Sequence, residues 1–552
     1  MQQCIQEVVS LSRSTARAYP AIRVKGRSVQ RVLIIAGLAA VYFAAGKLGL
    51  SLAFVNASAT AVWPPTGIAL AALLFFGPRV WPGVLIGAFL VNLTTAGSAV
   101  SSAGIAIGNT LEAVLAAYLV ERYANGVHAF ERLGDVLRFS LLAALASPLV
   151  SATFGVTSLC LTGFAQWADF GPVWLTWWLG DAGGALIVAP LLMVWGNDPR
   201  PHGWDRGHAL ELGAFIAAVV LTMLMVFSGV SPFVGKAYPT TFFVFPALVW
   251  AAFRFGPRAA TAALAFLSTT ATWSTLHGFG PFASIPPNEA LLLLQAFLGV
   301  AAVMTLALAA AEIELRRAEA RKIAERDEFI AVAAHELKTP ITSLRLAVQL
   351  LRREGERGTA PDGTKLRDSL RTIESQSQRL GRLVTELLET VRLRAGRMEL
   401  DSRQTDVVDL VAKAVRDAQA TTSRHKIVLT APARLRARVD ALRFVQVVSN
   451  LLDNAIKFSP SGGPIDVELS SATRGRSPRL VVRDHGVGIP PDDRPHVFER
   501  FYQSQSGDQR AGLGLGLYVS RQIVELHGGR IEAEFPDDGG TRMVVSLPSE
   551  RS

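Results

Sequence analysis

The sequence predicts a multidomain protein: a polytopic α-helical membrane domain, then an antiparallel helical hairpin, then an α/β domain. Three observations predict it. The first 311 residues hold only 16 Lys/Arg and 11 Asp/Glu, whereas the remaining 241 hold 39 and 34. All ten tryptophans precede residue 274. Beyond residue 311, a charged helical stretch gives way to mixed helix and strand patterns with glycine-rich turns. The overall composition, 50% apolar and 18% charged, averages over this split. The 552 residues exceed the roughly 100–200 of a single domain. Together these exclude a purely soluble enzyme, a secreted protein and a disordered chain. The net charge of +10 divides evenly between the two parts, so no basic domain points to nucleic acid. Cys4 and Cys160 are the only cysteines, too few for a disulfide framework or a thiolate metal cluster.

Residues 1–31 form a basic segment with Arg13, Arg17, Arg23, Lys25, Arg27 and Arg31, and an apolar run follows directly. No convincing small-residue cleavage site separates them, so an uncleaved anchor helix is expected, with the basic segment in the cytoplasm. The membrane domain, 32–311, contains ten apolar stretches: 32–55, 65–77, 80–95, 99–120, 137–162, 172–196, 209–229, 240–254, 257–277 and 289–311. A span needs about 20 residues. The second, third and eighth stretches are shorter and read equally as half-helices, so eight to ten spans are expected. With ten, the inside loops carry Arg79, Arg122, Arg132, Arg138, Arg200, Arg206, Arg254 and Arg258, and the outside loops only Lys236. That is the positive-inside pattern. Phe76-Gly77-Pro78-Arg79 recurs as Phe255-Gly256-Pro257-Arg258. It reads either as a duplicated membrane unit, as in transporters, or as two unrelated cytoplasmic turns. Lys47, Glu112 and Asp181 are ionisable groups within apolar stretches. Such groups cost about 2.5–3.5 kcal/mol each in hydrocarbon and normally face a bundle interior. They are the expected signal site, the two acids pairing with Lys47, and Asn92 and Asn109 adding hydrogen bonds. The alternative is that Lys47 snorkels to the interface and that the acids sit near span ends.

Four motifs in this region resemble the MASE-type membrane-associated sensor domain, the first type described. They are Trp63-Pro64-Pro65-Thr66-Gly67, Trp81-Pro82-Gly83 with Asn92, Gly108-Asn109-Thr110-Leu111-Glu112, and Gly180-Asp181-Ala182-Gly183-Gly184. That domain occurs fused to bacterial histidine kinases and diguanylate cyclases. The resemblance implies sensing of an unidentified signal ligand within the lipid of the bacterial cytoplasmic membrane.

No Gly or Pro interrupts residues 312–339, so the linker 312–328 is expected as one helix leaving the last span. The next domain, 329–396, opens with Phe329-Ile330-Ala331-Val332-Ala333-Ala334-His335-Glu336-Leu337-Lys338-Thr339-Pro340. Adjacent His335 and Glu336 allow the carboxylate to orient the imidazole or take its Nδ1 proton, leaving Nε2 as nucleophile. Pro340, mid-helix, is expected to kink the axis. After a glycine-rich loop at 355–363, Leu366, Leu370, Ile373, Leu380, Val384, Leu387 and Val391 keep heptad spacing, with Ser377 in the remaining seat. Such a stripe argues for a helical hairpin that buries one face against a partner. Two hairpins complete a four-helix bundle, so a homodimer is expected. The segment resembles the dimerisation and phosphotransfer domain of sensor histidine kinases. The resemblance implies that His335 is the phosphoacceptor, Glu336 its acid–base partner, and Thr339 the residue that positions a hydrolytic water.

In the last domain, 406–548, Ala441–Phe458 reads as a helix with Val445, Val448, Leu452 and Ala455 as its apolar face. Asn450, Asn454 and Lys457 share another face, an arrangement suited to a metal–triphosphate. A strand at 479–483 ends in Asp484-His485-Gly486-Val487-Gly488, whose carboxylate can accept from an adenine amino group. Ser504–Arg510 reads as a polar lid. Gly512, Gly514 and Gly516 then open a helix, where backbone amides cradle phosphate. Taken in order, these boxes resemble the histidine-kinase-type ATPase domain and its Bergerat α/β sandwich. The resemblance implies ATP and Mg²⁺ as cofactors. It places Asn454 on the metal, Asn450 beside it, Lys457 on the phosphates, Phe458 by the nucleoside and Asp484 on adenine. Gly486, Gly488, Gly512, Gly514 and Gly516 supply the turn and lid. The sequence ends soon after Gly539-Gly540-Thr541, so phosphate is expected to pass to a separate response regulator's receiver domain. Related ATP hydrolases place a glutamate base four residues before the metal-binding Asn; here that position is Asn450, which cannot act as one. The expected activity is therefore that of a membrane-bound protein-histidine kinase, its N-terminus and kinase module cytoplasmic, with regulator phosphatase activity. An ATP hydrolase and a transporter with a regulatory tail are the alternatives.

Overall fold

The computed structural model describes residues 28–52, 60–95, 97–197, 206–228, 240–283, 285–356, 363–394, 398–470, 478–502 and 513–548. The basic segment up to residue 27, Lys236, the loop 357–362, the polar stretch 504–510 and Gly512 lie outside them. The chain divides into two compact units, Met1–Arg321 and Lys322–Ser552.

The first unit is helical. Its elements are α1 (Ser28–Ser51), α2 (Pro64–Phe76), α3 (Trp81–Leu93), α4 (Ala99–Tyr123), α5 (Leu133–Phe139), α6 (Pro148–Leu161), α7 (Phe170–Gly183), α8 (Ala189–Asn197), α9 (Arg206–Phe227), α10 (Val244–Trp250) and α11 (Gly256–Leu276). It ends in the first part of α12 (Pro287–Glu356). Among the described residues six helical stretches are long and apolar enough to cross a membrane: Val29–Ser51, Ala99–Tyr123, Leu133–Leu161, Trp167–Asn197, Ala209–Phe227 and the start of α12. With 13 residues each, α2 and α3 reach only about 20 Å, short of the roughly 30 Å hydrocarbon core. The eighth apolar stretch is the seven-residue α10 followed by a wide π turn, Ala251–Phe255. Two more π turns join α5 to α6 (Ser140–Ala146) and α7 to α8 (Gly184–Val188). Periodicity does not reveal these, because one extra residue per turn leaves an all-apolar sequence unchanged in character.

Small residues let the backbones approach. A Cβ at Gly87 would sit 2.8 Å from Tyr42 Cβ, one at Gly108 2.6 Å from Phe154 Cβ, and one at Gly184 2.0 Å from the Trp63 carbonyl oxygen. Such contacts are how apolar helices associate where lipid offers no hydrophobic gain.

Helix α12 includes Pro340 within its length. In the second unit α13 (Gly363–Arg394) follows it. Leu370, Val384 and Val391, from the heptad stripe of α13, are 52%, 43% and 49% exposed in the single chain. Leu383 instead packs into the core of the ATPase domain, on a face that the heptad does not report.

That domain has a two-stranded antiparallel sheet, β1 (Arg403–Asp406) with β3 (Arg436–Val439). Its main sheet has the order β2-β4-β5-β7-β6, with β2 (His425–Thr430), β4 (Gly463–Ser470), β5 (Arg479–Asp484), β6 (Arg530–Glu534) and β7 (Thr541–Ser546). The β2–β4 pair is parallel and the others antiparallel. Helices α14 (Val407–Thr421), α15 (Ala441–Lys457) and α16 (Gly516–Leu526) complete an α/β sandwich. The buried face of α15 is Phe444, Val447, Val448, Leu451, Leu452 and Ala455. Val445 is only partly buried, a correction to the sequence reading: the stripe is one position wider and centred on Val448 and Leu451.

Candidate functional site

The nucleotide face is built at the ends of α15 and α16. Asp440 caps α15, accepting from the Arg443 backbone N at 3.1 Å, which fixes where the helix starts. The polar stripe follows from that start. Asn450 Nδ2 donates to Ser520 Oγ at 2.8 Å, and a Cβ at Gly516 would meet Asn450 Oδ1 at 2.4 Å. Asn450 therefore ties α15 to the first turn of α16 and presents no base. Half-buried Asn454 makes no side-chain hydrogen bond among the described residues, so its carbonyl oxygen is available to a metal. Among the described residues no three His, Cys, Asp or Glu cluster as a metal cage. The donor set thus fits Mg²⁺ held through one side-chain oxygen and nucleotide phosphates, the usual binding of that ion.

Lys457 lies with Nζ 4.9 Å from the centre of the Phe458 ring, and Phe458 caps the helix, 40% exposed. Desolvation first, and the neighbouring Arg379 guanidinium second, hold the Lys457 ammonium below its usual range. Asp484, at the end of β5, is 6% exposed. Its Oδ1 accepts from Gly486 N at 2.9 Å and Thr541 N at 3.2 Å, and its Oδ2 accepts nothing among the described residues. Burial pushes its carboxyl above the usual range, and those backbone N–H groups partly offset the shift. The turn after it is latched to α15 by Val487 N donating to Phe458 O at 3.1 Å. Gly486 has no room for a Cβ, which would lie 2.0 Å from Phe458 O, and Gly488 has φ +68°. Gly514, at φ +66°, accepts from Phe501 N at 3.1 Å. Phe501 itself has φ +62°, a left-handed conformation that costs a non-glycine residue about 1–3 kcal/mol and clusters at functional sites.

The phosphoacceptor segment meets this face. His335 and Thr339 are exposed on α12, and Glu336 is partly buried. Thr339 Oγ1 donates to His335 O at 3.4 Å. Glu336 Oε2 lies 3.7 Å from Arg379 Nη2 of α13, the same arginine that bears on Lys457. Val332 and Leu337 pack partly on the ATPase core, and the Phe329 and Phe501 rings lie 5.6 Å apart. Glu389 of α13, 8% exposed, accepts from Arg443 and Gln446 of α15. Sequence reading missed Arg379, Glu389 and Arg443; only their placement in a charged helix hinted at them.

In the membrane unit, Asp181 and Glu112 are brought together, both 1% exposed. Thr66 Oγ1 donates to Asp181 Oδ1 at 2.8 Å, and Ser151 Oγ lies 2.7 Å from Asp181 Oδ2 and 3.0 Å from Asn109 Oδ1. Trp177 Nε1 donates to Ser151 Oγ at 3.1 Å, and Asn109 Nδ2 to Tyr42 Oη at 3.0 Å. Thr66, Asn109, Glu112 and Asp181 come from the motifs singled out in the sequence, whereas Tyr42, Ser151 and Trp177 do not. Lys47 is not with them, which corrects the expected pairing. Its Nζ donates to Thr94 O at 2.8 Å and Thr95 Oγ1 at 2.9 Å, satisfying the carbonyl end of α3. Asn92 donates to Ala88 O at 2.8 Å on its own helix.

Comparison with known proteins covers both units. Residues 32–315, just over half of the chain, match the MASE1 family. Residues 325–396 match the His Kinase A (phospho-acceptor) domain. Residues 439–551 match the histidine kinase-, DNA gyrase B-, and HSP90-like ATPase. The alginate biosynthesis sensor protein KinB of Pseudomonas aeruginosa is 34% identical over 226 residues, 40% of this chain and 37% of KinB. Sensor protein SphS of Synechococcus elongatus is 37% identical over 246 residues, 41% of this chain and 56% of SphS. The chain spans about half the length of the curated relatives it matches. Among solved structures, the mycobacterial sensor histidine kinase MprB matches 27% of this chain and 100% of its own, at 30% identity and a TM-score of 0.25. The chain belongs to the MASE1 family, and its membrane domain is joined to the phosphoacceptor and ATPase domains of a sensor histidine kinase.

Proposed function

We propose that the protein is a membrane-bound protein-histidine kinase of a bacterial cytoplasmic membrane, with its kinase module in the cytoplasm. ATP phosphorylates His335, and the phosphate passes to an aspartate of a separate response regulator. The observation that supports this most is the convergence of three helices: Glu336 of α12 lies 3.7 Å from Arg379 of α13, which also bears on Lys457 of α15. Arg379 and Lys457 are two cationic side chains near the phosphoacceptor helix, a charge arrangement that suits a triphosphate. His335 Nε2 attacks the γ-phosphorus while the bond to the β-phosphate oxygen breaks and ADP leaves. Glu336 holds the imidazole and accepts its Nδ1 proton. Asn454 holds Mg²⁺, which neutralises phosphate charge when bound; positioning does the rest. Lys457 contacts the phosphates, Phe458 lies against the nucleoside, and Asp484 Oδ2 accepts from the adenine amino group. Gly486, Gly488, Gly514 and Gly516, with Gly512, keep the backbone close to the nucleotide. The exposed stripe on α13 is covered by a second copy in a four-helix bundle. Incubation of the full chain in lipid with labelled ATP and Mg²⁺ tests the proposal: acid-labile, base-stable phosphate is expected, and its absence rejects the reading.

Thr339 serves regulator dephosphorylation by orienting water from its exposed position one turn after His335. Thr339→Ala is expected to retain autophosphorylation while losing most phosphatase activity. Equal loss of both rates would instead show damage to the helix.

Glu112 and Asp181 form the signal site, with Lys47 holding the neighbouring end of α3. Glu112→Gln and Asp181→Asn are expected to insert normally and bind ATP, with kinase output locked high or low. Responses of unchanged amplitude and sensitivity in both variants would remove the acids from sensing.

A further inference from the structure

The cluster around Asp181 contains more than hydrogen-bonded polar side chains. Among the described residues no lysine, arginine or histidine bonds to Glu112 or Asp181. Two carboxyl groups in one buried cluster with no cationic side chain either keep protons or neutralise their charge on a bound cation. Beside Asp181 is a small cavity whose wall includes Thr60, Asn92, Asn109, Thr176 and Gly180. Its volume of about 20 Å³ admits a water-sized occupant.

Unpartnered oxygens support the second alternative. Glu112 Oε1 is buried without a hydrogen-bond donor. Gln295 of α12, 5% exposed, donates Nε2 to Thr60 O at 3.1 Å and to Thr176 O at 3.0 Å, so its amide is held on two residues of the cavity wall. Its Oε1 is left buried and without a partner. A buried acceptor without a donor costs about 1–3 kcal/mol, and there are two here. Asn92 uses its nitrogen on Ala88, and its Oδ1 accepts nothing among the described residues. Asp181, Asn92 and Asn109 bring carboxylate and amide oxygens to the cavity wall, the donor types of hard cations; Gln295 is bonded to two wall residues, and Glu112 lies close to Asp181. The π turn Gly184–Val188 begins three residues after Asp181, and such turns mark functional sites in helices.

We propose that Glu112, Asp181 and the oxygens around them bind a small monovalent cation. This deepens the reading of the two acids as the signal site and rests on it for its regulatory meaning. Gln295 and His335 belong to the same helix, α12. A cation that draws Gln295 Oε1 toward itself changes the hold of that side chain on Thr60 and Thr176.

The test uses the full chain in lipid nanodiscs. Thermal melts and tryptophan fluorescence, to which Trp63 and Trp177 of the cavity wall contribute among the ten tryptophans, are recorded in sodium, potassium, ammonium or choline chloride. Chloride concentration and pH are matched. At least one of the three small cations is expected to raise Tm and change the fluorescence saturably relative to choline. Glu112→Gln and Asp181→Asn should each weaken that apparent affinity about tenfold or more, the value of one contact to a charged group. Small cations indistinguishable from choline in the wild-type protein overturn the proposal, and so does a response that follows pH alone, which assigns a proton. That comparison needs no variant to fold. Saturable binding that leaves the autophosphorylation rate unchanged upholds the cation site and rejects the signal-site reading.

Discussion

His335→Gln protein is expected to bind ATP with wild-type affinity and to incorporate no acid-labile phosphate. The substitution removes the Nε2 nucleophile from an exposed position on α12, and none of the nucleotide-face residues of α15, β5 or α16 depends on it. Asn454→Ala should give the same loss of label for a different reason. The carbonyl oxygen offered to Mg²⁺ disappears, and the phosphorylation rate falls on the order of 10²-fold or more. The two variants separate in a mixture. If the dimer phosphorylates across its subunits, combining them restores label on the Asn454→Ala chain. Phosphate on the His335→Gln chain would reject the assigned acceptor.

Asp484→Asn should weaken ATP binding by about tenfold to a hundredfold with the fold intact. Asn keeps an acceptor for Gly486 N and Thr541 N, which lie 2.9 and 3.2 Å from Oδ1. On its other side it presents an amide donor where Oδ2 is available to the adenine amino group. Two donors facing each other in a buried site cost about 1–3 kcal/mol. Gly486→Ala should be at least as damaging, because its Cβ would lie 2.0 Å from Phe458 O and force the turn off the end of α15. A pH dependence accompanies this. Burial pushes the Asp484 carboxyl above the ordinary carboxylate range, and adenine needs the ionised form. ATP affinity should therefore fall with decreasing pH, beginning above the usual aspartate pKa of about 3.9. Calorimetric titration of ATP across that range checks it, and affinity flat down to that value would remove Asp484 from base recognition.

The kinase motifs were legible in the sequence because their chemistry is local. Asn450, Asn454 and Lys457 share a face through the helical repeat alone, and Asp484 leads into its glycines as consecutive residues. His335, Glu336 and Thr339 lie within two turns of one helix. The heptad of α13 reads as a stripe for a partner helix, and in the single chain its Leu370, Val384 and Val391 are exposed. The charge split placed the change from membrane to kinase composition at residue 311, and the structure divides into units ten residues later.

Contacts between distant residues were decided only by the tertiary structure. Nothing in the spacing of α13 sets Arg379 between Glu336 and Lys457, or Glu389 against Arg443; the packing of α13 against α12 and α15 does. In the membrane unit the limit is sharper. Helices that are apolar on every side carry no periodic signal for the face they turn inward, so acids 69 residues apart cannot be paired from sequence. Close approach at small residues such as Gly108 and Gly184 brought Glu112 and Asp181 together, recruited Thr66 and Ser151, and left Lys47 on the end of α3. The sequence by itself determined which chemical groups the protein carries and in what order. Which of them meet depended on helix packing, because that is settled by the fit of surfaces far apart in the chain.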